Sequence, residues 1–378
     1  MKSIKIVLGT IVVVGTLMQG IELYYAPDII LLESSRQYPE YLYWIRWIIT
    51  FIAVVGFFAV DFLKNIITKL LSRRILFMSD KFSTLSDFDL KQTEINPEDI
   101  KKYTSEDDFM FLAVDLGKEI LEYTSILAFS YRLDDKNLPR TWKRNEAIIG
   151  GLLVRLSKLQ NSILDTVCEK REEIALILLR SAIETAINCE FLIKNDSDEL
   201  YDEYVKYSLR EEKKLLNIIN KGVEERGHET PWETRMRTLI MKAFKRSEVN
   251  PEEVDESNRK PWGKSIYQRA KDVGHDKAHL VIFSLPSHTV HGNWQDLLEF
   301  HLEGDGEYFK PSSGYGHPRP SLLLGLSLLS ANVCQTFLEH IMPECPDSEV
   351  LEKNLTDFDR SIHLLSDLHE KFMQKGKE

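Results

Sequence analysis

The sequence is poor in cysteine. Its four, Cys168, Cys189, Cys334 and Cys345, never form a Cys-x-x-Cys pair. That excludes a zinc ribbon or a dithiol redox motif and leaves buried, reduced thiols as the expectation. No Walker loop, no Gly-x-Gly-x-x-Gly and no Gly-x-Ser-x-Gly occurs, so nucleotide-driven, dinucleotide-binding and α/β-hydrolase chemistries are set aside. His228-Glu-Thr-Pro-Trp232 is not a His-Glu-x-x-His helix, and the pair His275 and His279 comes without clustered carboxylates. No metal and no cofactor is therefore expected. No stretch alternates at period two, so a sheet is not needed. With 43% hydrophobic and 28% charged residues over 378 positions, the chain is also neither disordered nor collagen-like.

What is present divides the chain in two. Residues 1–77 carry eight Lys/Arg against five Asp/Glu, and the remaining 301 carry 40 against 54. Two apolar runs lie in the first part, Ile6–Ile21 and Tyr41–Leu63, the second about the length a bilayer needs. Arg46 sits one turn into the second run, where it can snorkel, amid an aromatic belt of Tyr41, Tyr43, Trp44 and Trp47. No small-x-small cleavage site follows the first run, which argues against a signal peptide. Lys64, Lys69, Arg73 and Arg74 follow the second run, so the positive-inside rule puts both termini in the cytoplasm. Residues 1–77 thus read as a two-helix transmembrane hairpin anchor in a cell membrane, and its first partner is the lipid bilayer. Thr16 and Gly20 form a small-xxx-small pair that points to a homo-oligomer.

Residues 78–104 read as a polar linker, and 105–378 as a large cytoplasmic helical bundle, so the fold class is all-α. Apolar residues recur at helical spacing over 105–130, 141–170, 172–194, 198–221, 232–246, 263–273, 276–302, 320–342 and 347–374. The charged, proline-broken interval 221–262 is where two lobes would meet. The segment 172–194 is apolar nearly all round and belongs at the centre of the bundle. The segment 320–342 is equally greasy, but Asn332, Gln335, Glu339 and His340 make it a buried partner helix rather than a third span.

On the central helix Arg180, Glu184 and Asn188 follow one another at i, i+4 and i+8, hence on one face. Charges on a buried helix are costly unless paired. An Arg180–Glu184 pair that fixes helix register and a polar seam lining a cleft are both compatible with that spacing. Downstream, Ser287-His288-Thr-Val-His291-Gly292 offers two imidazoles three residues apart, with Gly292 leaving room beside His291. His291, Arg180 and Glu184 are the candidates for a catalytic role; Asn188, Tyr267, Ser287 and His288 are candidates for ligand binding. Arg235, Arg237, Lys242, Lys245 and Arg246 form a basic stripe interleaved with Met236, Leu239, Ile240 and Phe244, readable as a solvated face or as a contact for anionic lipid or RNA phosphate.

The Arg180-Ser181-x-x-Glu184 motif, Tyr267, and Ser287-x-x-x-His291-Gly292 together resemble a prokaryotic helical family of unknown function, over roughly residues 105–342. The resemblance implies a helical domain without an established activity, roles in stress or phage defence, and a distant likeness to the HEPN fold. A HEPN ribonuclease would carry Arg followed four to six residues later by His, a spacing that Arg269 and His275 meet. The functional expectation is a membrane-anchored, cytoplasm-facing sensor or effector that receives an unknown small ligand or protein partner in the polar seam. A tethered hydrolase, with His291 as acid or base and Arg180 holding phosphate, and a non-catalytic scaffold are the alternatives.

Overall fold

The computed structural model describes residue 90 and residues 92–375, except 131–141, 259–260, 277–285, 305 and 343–347. All of them fall in one compact unit, Phe88–Glu378. The expected hairpin over 1–77, Cys345 and His279 lie outside the described residues.

The unit is mostly helical. Its main helices are α1 (Pro97–Ile100), α2 (Glu106–Ala128), α3 (Arg144–Cys168), α4 (Glu172–Lys194), α5 (Asp198–Ser208), α6 (Arg210–Arg226), α7 (Pro231–Ser247), α8 (Ile266–Asp272), α9 (Pro320–Ile341) and α10 (Ser348–Lys375). Their starts follow ordinary capping chemistry. The Asp108 carboxylate accepts from the Thr104 and Ser105 N–H groups at 2.9 and 3.0 Å, and so closes the first turn of α2. Thr230 and Glu233 cap α7 reciprocally, with Pro231 at its first position.

Helix α4 packs against α3, α8 and α9, and α9 packs in turn against α2 and α10. Leu179, Ala182, Ile183, Ala186 and Ile187 of α4 are buried, as are Leu153 and Leu156 of α3 and Leu324, Val333 and Leu338 of α9, the helices α4 packs on. Each fully buried Leu or Ile contributes about 2 kcal/mol. Among the described residues α9 alone is long and apolar enough to cross a membrane, yet 67% of its apolar window is buried inside the unit. It is a core helix, as the polar residues along it required. Residues of α5, α6 and α7 close a smaller core of their own around Leu216, Ile219, Ile240, Phe244 and Val254.

Several expectations need correction. The segment 198–221 is two helices, not one, because the chain turns at Leu209 between α5 and α6. The segment 276–302 is not a continuous helix either. Residues 286–291 are helical, Gly292 adopts φ +55° and ends the turn, and Asn293 caps a fresh one by accepting from the Gln295 and Asp296 N–H groups. A wide turn over Leu297–His301 then leads into a small antiparallel hairpin, Leu302–Gly304 with Phe309–Pro311. Three-residue strands are too short to display an alternating pattern, which is why the sequence showed none. Two faces are also less buried than apolarity implied. Cys168, at the end of α3, is exposed, and so are Ile174 and Ile177 on the outer side of α4.

Candidate functional site

The polar stripe of α4 faces the edge of the bundle rather than its middle. Arg180 Nε lies 3.4 Å from Glu184 Oε1, with the arginine side chain 19% and the glutamate 42% exposed. Beside them Arg155 Nε donates to Thr185 Oγ1 at 3.1 Å, and Thr185 donates to the Ser181 carbonyl at 2.6 Å. One turn further on, the Asn188 carboxamide oxygen is buried and accepts no hydrogen bond.

Helix α8 packs onto this stretch of α4 and brings Arg269 to it. The Arg269 side chain is 4% exposed, and its Nε and Nη1 are buried without a hydrogen-bond partner. Its guanidinium stacks 4.0 Å over the Trp262 ring. Burial pulls its pKa down to about 10 against the opposing pull of Glu184, so it remains a cation at neutral pH. Trp262 takes φ +47°, a left-handed conformation that non-glycine residues seldom hold. That conformation sets its indole between Phe191 of α4, 6.4 Å away, and the edge of Tyr204, 4.8 Å away, with the indole N–H buried and unpartnered. Among the described residues the Arg269 guanidinium and the Trp262 indole N–H are thus left unsatisfied where α8 meets α4, as is the Asn188 carboxamide oxygen on α4. Each such group costs about 1–3 kcal/mol when no partner meets it.

Further along α4 the opposite holds. Glu190 is 1% exposed and takes Lys194 Nζ at 2.6 Å, His275 Nε2 at 2.7 Å and the Thr336 hydroxyl at 3.5 Å. Burial alone would raise its pKa, but the His275 and Lys194 contacts outweigh burial and hold it below the usual carboxylate range. At the first turn of α4, Glu172 is 3% exposed and sits 3.2 Å from Arg319 Nε, a residue that also bonds Glu299. Burial dominates there and pushes Glu172 up to about 7, with Arg319 opposing. Glu173 accepts from the Gly316 N–H at 3.3 Å. A Cβ at Gly316 would lie 2.7 Å from Glu172 Oε2 and 2.9 Å from the Phe300 ring, so any larger residue there would have to displace those side chains.

Of the residues singled out from the sequence, Arg180, Glu184 and Asn188 share the seam as their spacing required. Tyr267 lies on α8 but is 40% exposed, two positions from Arg269 and so on another side of that helix. His288 Nδ1 is 2.6 Å from Asn293 Nδ2, Ser287 is half-buried and His291 is exposed. The sequence reading missed Trp262 and gave Arg269 only a spacing match with His275. In the fold those two point into the bundle, Arg269 under Trp262 and His275 onto Glu190, its side chain 14% exposed. Among the described residues no cluster of three His, Cys, Asp or Glu could hold a metal.

Residues 146–308 match the model of DUF5677, a family of unknown function. No curated protein and no solved structure matches the chain. The likeness to a family of unknown function is thereby borne out over a shorter span than 105–342, running from α3 to the hairpin. It takes in the whole α4–α8 seam and leaves out α9, which packs on α4, and α2 and α10, which pack on α9. It assigns no role to any of these residues.

Proposed function

We propose that the protein is a membrane-tethered, cytoplasm-facing helical sensor or effector whose small ligand carries an anionic group and is received on the α4–α8 seam. The observation that carries this reading is Arg269, a cation 4% exposed with two donor nitrogens unpartnered. A buried charge without a hydrogen-bonded counterpart lowers stability, and residues kept at such a cost are commonly kept for function. A phosphate or carboxylate entering the seam would accept from Arg269 and the Trp262 N–H, while Asn188 would take a donor on the same ligand. Pairing of Arg269 with that anion would draw α8 more tightly onto α4, which is a change the bundle can transmit. The tether is supported by the two apolar runs and by the basic residues that follow the second.

The test is thermal unfolding of the full chain in detergent, in chloride and in inorganic phosphate at equal ionic strength, for wild type and Arg269→Met. Phosphate should raise the melting temperature of wild type by several degrees and leave the variant unmoved. Loss of stability in Arg269→Met together with indifference of wild type to phosphate would make Arg269 a packing residue and end this reading.

A further inference from the structure

Helix α7 buries one side and, among the described residues, leaves the other exposed. Met236, Ile240, Ala243 and Phe244 face the small core. Trp232, Arg235, Leu239, Lys242 and Arg246 recur at three- and four-residue steps and form one outward stripe, all exposed, with Trp232 at 53% and Leu239 at 61%. Lys245 flanks it on one side, whereas Met241, two positions from Leu239, is exposed on another side of the helix. The single acid of the helix, Glu233, is turned inward, where Arg226 and the Thr230 cap hold it. Among the described residues Arg235, Lys242, Lys245 and Arg246 make no ion pair. On the neighbouring helices Lys206, Lys213, Lys214 and Arg226 are each matched to a glutamate. The stripe is therefore three uncompensated cations, with Lys245 as a fourth at its edge, around an indole and a leucine. It stands out on a chain that beyond residue 77 has 54 acids against 40 bases.

We propose that this outer face of α7 docks on an anionic lipid surface. The cations meet headgroup phosphates, Trp232 sits at the headgroup level, and Leu239 enters the acyl boundary. RNA would satisfy the cations and stack on Trp232 but would leave the leucine without an apolar partner. A second copy placed on the same face would set like charges against one another. The surrounding acidic surface repels an anionic membrane, so this face alone is the one presented to it. The proposal rests neither on a ligand at Arg269 nor on the hairpin tether.

The experiment places an environment-sensitive NBD label at Leu239→Cys in a Cys168→Ser, Cys345→Ser background. The full chain is reconstituted in nanodiscs of phosphatidylcholine alone or with about a third phosphatidylglycerol. Emission should shift to the blue only in the anionic discs and return in about 0.5 M salt. The triple variant Arg235→Glu, Lys242→Glu, Arg246→Glu should abolish the shift. The milder Lys242→Gln, Arg246→Gln should weaken anionic-lipid preference by about fivefold per charge removed. A label at Leu364→Cys on α10 should not respond. If the chain stays out of the discs, the tether reading fails, and sedimentation with vesicles of the same two compositions then reads this face, a preference of tenfold or more for the anionic ones being expected. Equal emission or equal sedimentation in both compositions overturns the proposal. So does a shift in neutral discs on addition of single-stranded RNA, which would assign the face to nucleic acid.

Discussion

Two buried charges lie where α4 meets the stretch 269–275, Glu190 on α4 and Arg269 on α8, and they are treated in opposite ways. Around Glu190, Lys194 and His275 supply close, well-aligned donors, with Thr336 at the margin, and the carboxylate stays ionised in a setting that burial alone would make hostile. Arg269, six residues before His275, is nearly as deeply buried, but among the described residues an aromatic face and the pull of Glu184, with no hydrogen bond to Nε or Nη1, are set against its desolvation. A buried charge that is fully hydrogen-bonded ties elements together and is lost only at high cost. One that is left short of partners weakens the fold where it sits. The difference separates a knot that joins α4, α8 and α9 from a position the fold would be more stable without.

The largest test of that contrast is Glu190→Ala, which leaves His275 and Lys194 facing a buried gap. It should lower the unfolding free energy by about 3–5 kcal/mol, read by urea denaturation at neutral pH. The wild-type knot has a pH signature of its own. Because the folded pKa of Glu190 is lowered, its contribution is present above the unfolded carboxyl pKa and is lost as pH falls through the folded one, so the penalty in Glu190→Ala should shrink under strongly acidic conditions.

Glu172 sharpens the comparison from the other side, being buried with a cation at hand yet still under-solvated. Its folded pKa, about 7, lies above the unfolded value near 4.5, so the fold prefers the proton and loses stability as pH rises between those two values. Glu172→Gln should therefore stabilise the protein at pH 8 by something on the order of 3 kcal/mol and change little at pH 4. Urea midpoints of both proteins at the two pH values check it. Gly316→Ala, which drives a Cβ into Glu172 and Phe300, should cost about 1–3 kcal/mol by the same assay. The smallest expected change belongs to Arg269→Met: a shift within about 1 kcal/mol, neutral or stabilising, set against the several kcal/mol lost at Glu190. A loss at Arg269 as large as that at Glu190 would erase the distinction.

Much of the helical framework was legible before the fold. Ile183, Ala186, Ile187, Phe191 and Leu192 at helical spacing identify α4 as central, and Asn332, Gln335 and Glu339 mark α9 as a core helix. Both properties belong to a single segment and its own periodicity. The exposure of Ile174, Ile177 and Cys168 was not legible, because an apolar side chain does not state which neighbour covers it. The hairpin after Gly292 was missed because its strands are three residues long and a single glycine decides whether the preceding turn continues.

For the candidate site, local spacing established that Arg180, Glu184 and Asn188 share a face, since i, i+4 and i+8 follow from helical geometry alone. It could not establish what lies across from them. Glu190 and His275 are 85 positions apart, Glu190 and Thr336 are 146, and Glu172 and Gly316 are 144. Whether a charge is answered depends on which distant residue arrives within about 3 Å, and no periodic pattern encodes that. By itself the sequence determined most of the helices (though not the breaks at Leu209 and Gly292), the central place of α4, the polar stripe along it and the basic stripe of α7. Only the tertiary structure decided that Glu190 is satisfied, that Trp262 turns left-handed to cover Arg269, and that Arg269 is left wanting a partner. Helix formation is governed by neighbours three and four residues away, whereas the energy of a buried charge is governed by everything packed around it.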